Sequence, residues 1–149
     1  MLEQLISGWR IFLCGDLAKE TSAEDIAPSL LKINCDGAYK SSCSFAAFGV
    51  IVRDHSGSAQ VWRCGRVKES SALAIEAWAL RIACGLAIEY NFPAVIFESD
   101  CKCLIEIISG SNSNGCWEIQ VIVEDIKSWA KERRWSFVWG CQSKNKAAH

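Results

Sequence analysis

The chain has 149 residues, half of them hydrophobic and 22% charged, with a formal net charge of −1. This composition excludes a disordered polyelectrolyte and suits one domain, which at this length buries roughly 68–70% of its unfolded surface without metal or disulfide staples. The near-neutral balance also excludes a grip on polyanions by bulk charge, so any nucleic-acid contact must come from local patches or bound cations.

Residues 1–30 are irregular and mildly acidic, run to Pro28 and read as a leader or a remnant of something upstream with at most a short helix; the periodic part, residues 31–149, reads as the domain. Leu31 to Ala38 alternates, with Leu31, Ile33 and Cys35 on one face, and predicts a strand closed by Gly37. Phe45 to Asp54 predicts a second, largely apolar strand, and His55-Ser56-Gly57 a turn into a third, Ser58 to Val67. Short links make these three an antiparallel meander.

The period then changes. Ser71 to Tyr90 predicts a long helix capped by Ser70 or Ser71, with Leu73, Glu76, Leu80, Ala83 and Ala87 on one face. Beyond Pro93, the apolar run Ala94 to Ser99 predicts a buried strand. Asp100 to Ser109 predicts a short helix stopped by Gly110, residues 111–115 a loop, Trp117 to Arg133 a third helix and Trp135 to Cys141 a fifth strand. The order β-β-β-α-β-α-α-β is that of an α/β protein with a mixed sheet. No run of roughly 18 apolar residues occurs, which speaks against a membrane span, and Glu3 with no basic stretch makes the start a poor secretory signal.

Nine scattered cysteines form no CxxC pair, and only His55 and His149 could join them in a zinc site. They read as reduced, mostly buried thiols, and so imply an intracellular, reducing setting, nuclear or cytoplasmic. Trp78, Trp129, Trp135 and Trp139 read as packing residues, and Lys131-Glu132-Arg133-Arg134 as a solvated helix end or a phosphate contact.

Three acids stand out by position. Asp36 ends the first strand before a glycine, Asp100 ends the fourth, and Glu76 lies on the apolar face of the long helix, where an unpaired carboxylate is costly. If strands one and four are neighbours, the three meet at one sheet edge. Clustered carboxylates repel and raise one another's pKa, and an oxygen-only set suits Mg²⁺ or Mn²⁺. Each acid also has a plainer reading: Asp36 as a turn cap, Asp100 as a helix N-cap, Glu76 as the partner of Arg81 or Lys102.

From Leu31 onward the sequence resembles the ribonuclease H type-1 domains of plants, relatives of the ribonuclease H portion of non-LTR retroelements. The matching segments are 32–38, 48–57, Glu76 to Leu80, Phe97 to Cys101 and Asn145 to His149. The resemblance implies a five-stranded mixed sheet of order 3-2-1-4-5 with helices on both faces, and a missing C-terminal helix. It implies that Asp36, Glu76 and Asp100 bind metal and that His149 stands at the fourth catalytic position, where active relatives carry an acid. It further implies two-metal, Mg²⁺-dependent endonucleolytic hydrolysis of the RNA strand of RNA–DNA hybrids by a monomer, with Mn²⁺ as a substitute. Departures point to an alternative: a catalytically weak or inactive retroelement-derived module that binds nucleic acid or protein without turnover. Histidine is not a hard oxygen ligand, Gln142 stands where relatives often carry arginine, and the loop histidine of some relatives has no counterpart.

Overall fold

Alternation along the first strand builds the sheet from its centre. In a computed structural model, which describes residues 30–43, 45–69, 71–111 and 116–140, β1 (Leu31–Lys40) buries Leu31, Ile33 and Cys35 on one face and turns Lys32 and Asn34 to the other. β2 (Phe45–Arg53) and β3 (Ala59–Lys68) follow as an antiparallel meander. The link between β2 and β3 is fixed by Asp54, whose Oδ1 accepts from the amides of Ser56 and Ser58, and by Gly57 at φ 83°.

α1 (Ala72–Glu89) begins at Ser71, whose hydroxyl accepts from the Ala74 amide. It ends where Asn91 adopts φ 52°, with Asn91 N–H bonding Ile88 O and Phe92 N–H bonding Ala87 O. That is a Schellman closure with asparagine in the left-handed position. Six alanines over the helix suit both its propensity and a close seat on the sheet. β4 (Ala94–Ser99), α2 (Lys102–Ser109), a 3₁₀ turn (Trp117–Ile119), α3 (Gln120–Ala130) and β5 (Arg134–Trp139) complete the order.

The sheet runs β3-β2-β1-β4-β5, with β4 parallel to β1 and β5 parallel to β4. This is the expected order. Right-handed crossovers stepping in one direction place their helices on one face. Accordingly the buried residues of α1, α2 and α3 share one core with Ile33, Val50, Val95 and Phe97. The expectations of a helix on the second face, of a missing C-terminal helix and of a leader at 1–30 fall outside the described residues.

Several predicted boundaries shift for physical reasons. β1 does not close at Gly37: its ladder with β2 continues to Lys40 opposite Phe45. α2 begins at Lys102, because the Ser99 hydroxyl takes the Cys101 amide and Asp100 does not serve as the N-cap residue. α3 stops at Ala130, and Arg133 folds back to donate to Trp129 O and to lie over Trp135. Lys131 is the C-cap of α3, and Lys131 to Arg133 form the exposed turn from the helix end into β5.

Candidate metal centre

Asp36, Glu76 and Asp100 converge as expected, though Asp36 does not end its strand. The β1–β4 pairing ends at Cys35 opposite Ser99, so the next residue on each strand, Asp36 and Asp100, emerges where the two strands part. On its other side Asp36 stays paired with Gly49 of β2, which fixes its backbone. Glu76 arrives from the second turn of α1.

Gly37 makes that arrival possible. A Cβ there would lie 2.9 Å from the Ile75 carbonyl carbon and 3.0 Å from the Glu76 amide nitrogen. The glycine is required by the close approach of strand to helix, not by a turn. One carboxylate oxygen from each acid lies within 4.8 Å of the others, and all three residues are half-buried.

The electrostatics follow from the crowding. Burial raises the pKa of Glu76, and Asp36 and Asp100 raise it further. Burial also raises that of Asp36, with Asp100 adding to it, against the lowering effect of hydrogen bonds from the Gly37 amide and Glu76. Beneath them the thiol of Cys35 is pushed well up by burial and by Glu76. One oxygen of Glu76, Oε2, is buried with no hydrogen-bond partner among the described residues. Such an orphaned acceptor is costly in a folded chain. An oxygen-only trio with an orphaned acceptor fits a hard divalent cation.

The plainer readings of the acids do not hold. Arg81 is taken by Asp125 at 3.0 Å and sits between the rings of Trp78 and Trp129. Lys102 pairs with Glu106 at 3.8 Å. Neither neutralises Glu76. His149, Gln142, Cys14 and Cys141 lie outside the described residues. Of the seven described cysteines, all free, only Cys35 and Cys84 are buried, so the expectation of mostly buried thiols is corrected. Cys43 is exposed in the turn between β1 and β2, and Cys64 and Cys103 are exposed on β3 and α2.

Sequence reasoning also misplaced Trp139. It is 50% exposed, and its indole N–H donates to the Asp100 carbonyl at 3.2 Å. Its position at the end of an edge strand decides this, and no local pattern signals it.

The family model described as reverse transcriptase-like matches residues 34–149. No curated protein matches the sequence. Among solved structures, the N-terminal ribonuclease H domain of Rv2228c from Mycobacterium tuberculosis superposes with a TM-score of 0.72 at 15% identity, covering 80% of this chain and 87% of that one. The RNase H1 of the archaeon Halobacterium salinarum gives 0.68 at 15% identity, over 79% and 90%. The LC11-RNase H1, solved in complex with an RNA/DNA hybrid, gives 0.70 at 19% identity, over 78% and 89%. At these identities the likeness speaks for the fold.

Proposed function

The chain belongs to the reverse transcriptase-like family and has the ribonuclease H fold, and on that footing we propose that it hydrolyses the RNA strand of RNA–DNA hybrids with a divalent cation. The observation that carries this reading is the trio Asp36, Glu76 and Asp100, brought within 4.8 Å from three separate elements with a buried acceptor left unpartnered. A protein gains nothing structural from three repelling carboxylates, so a cation site is the economical account.

Asp36, Glu76 and Asp100 would hold Mg²⁺ or Mn²⁺. Bound there, such an ion would supply positive charge against a phosphodiester and would acidify water. The residues themselves position and exclude. The β1–β2 ladder holds Asp36 opposite Gly49, Gly37 lets Glu76 approach, and the buried Cys35 lies beneath. RNA would be distinguished by its 2′-hydroxyls, through contacts at Asp36 to Ala38 and along the start of α1.

The second reading, binding without turnover, is favoured by one observation: the sequence carries His149 where active relatives carry a fourth acid. The test is cleavage of a hybrid labelled in turn on each strand, with Mg²⁺, Mn²⁺ or EDTA. Metal-dependent cutting of the RNA strand alone supports the nuclease. Tight binding with no cutting under either metal supports the module without turnover.

A further inference from the structure

Beside the acid cluster, at the end of the edge strand, stands an aromatic side chain that the fold does not use for packing. Trp139 pairs in register with Ser99, the residue before Asp100. Its ring is half exposed, its N–H is given to the Asp100 carbonyl at 3.2 Å, and the Lys102 ammonium lies 5.4 Å from its centroid. Trp135 and Phe137, on the same strand, instead pack edge-on and face-on against Phe97 in the core.

We propose that Trp139 and Lys102 form a nucleotide-binding platform flanking the acid cluster, the indole face taking a backbone sugar of the hybrid and the ammonium the adjoining phosphate. This deepens the nuclease reading and rests on it for the identity of the strand. A sugar and its phosphate are common to every nucleotide, so a flat ring and a nearby cation at the backbone hold a strand without regard to sequence. It also answers a problem the composition raises: a chain of net charge −1 with three clustered acids has to draw a polyanion to those acids. Lys102, two residues from Asp100, is free to do so, because its pairing with Glu106 is an exposed i,i+4 contact at 3.8 Å and such pairs are weak.

The indole has a second task. Through its N–H it fixes the main chain at Asp100, which makes Trp139 a positioning residue for that carboxylate. The two tasks separate by substitution, because phenylalanine keeps a ring and loses the N–H.

The experiment measures binding of a fluorescein-labelled RNA–DNA hybrid by anisotropy, in EDTA and in Mg²⁺, and cleavage kinetics, for wild type, Trp139→Ala, Trp139→Phe and Lys102→Met. Trp139→Ala should weaken binding several-fold, through loss of the apolar ring face against the sugar. Trp139→Phe should bind within about twofold of wild type in EDTA but show a several-fold lower kcat at a similar KM. Lys102→Met should reduce the salt dependence of binding by about one phosphate contact. A merely structural tryptophan would move KM and kcat together in both Trp139 variants. If Trp139→Ala fails to fold, the Phe and Met variants still decide. Wild-type affinity in folded Trp139→Ala, or in both Trp139→Phe and Lys102→Met with no change in kcat or salt slope, overturns the platform and leaves the nuclease reading intact. A wild type that binds but never cuts, beside a weakened Trp139→Ala, keeps the platform and removes hydrolysis. A wild type that binds no hybrid overturns both.

Discussion

At the scale of the residue, the acid trio sets stability against function. Asp36 and Glu76 both hold a proton more tightly in the folded chain than in the unfolded one, chiefly because they are buried. Below the unfolded carboxylate pKa, about 4, both states are protonated and the favourable contribution is complete. As the pH climbs through the raised folded values, the site must take on charge, and that contribution is lost. Asp36→Asn removes one charge from the cluster. In EDTA its Tm should therefore match wild type below about pH 4 and exceed it by a few degrees at pH 8, about 1 kcal/mol for each pKa unit of relieved shift. Mg²⁺ should narrow the gap by stabilising wild type more than the variant. Thermal melts across that pH range check this, and a variant equal to or below wild type at pH 8 would contradict it.

At the scale of the element, the site depends on how closely α1 seats on β1. Gly37→Ala puts a methyl into the backbone of the helix at Ile75 and Glu76. Overpacking of this kind costs about 1–3 kcal/mol, and here the helix that must yield carries Glu76. Both the denaturant midpoint and the cleavage rate should fall. Ser71→Ala is the matched control. It removes the cap from the same helix, should cost about 1 kcal/mol, and should leave the cleavage rate of the folded protein unchanged, because the contact of Gly37 with Glu76 is untouched. Chemical denaturation and single-turnover cleavage separate the two variants.

The elements were largely legible before the structure. Period-two alternation marked β1 and β3, and the change to a period near 3.6 after Ser71 marked α1, because burial on one face is what these periods record. What the sequence could not show were outcomes decided between elements. Gly37 reads locally as a strand stop, yet its purpose is the nearness of a helix 38 residues away in number. Cys101 rather than Asp100 is the N-cap of α2, and the Asp100 carboxylate belongs to the acid cluster instead. Of the site, the three carboxylates were legible from their placement at strand ends and on an apolar helix face. Trp139 was not, because no local pattern tells that the end of β5 stands exposed while Trp135 and Phe137 on the same strand pack on Phe97.

At the scale of the whole molecule, a net charge of −1 limits how a polyanion can be held. Binding of a hybrid should rest on few phosphate contacts, with a slope of log K against log salt of roughly −2 to −4, shallow beside that of strongly basic binders. Anisotropy titrations at several salt concentrations measure this, and a slope near −8 would place the contact surface elsewhere. On the function proposed above, Asp36, Glu76 and Asp100 form the metal-dependent hydrolytic centre of this ribonuclease H fold. Single-turnover cleavage of the RNA strand of a hybrid in Mg²⁺, wild type beside Asp36→Asn, with the melting temperature of each recorded in the same buffer, tests it most directly. Wild type should cut only with metal, and the variant should stay folded and lose at least about 100-fold of that rate. Undiminished cutting by folded Asp36→Asn would contradict it.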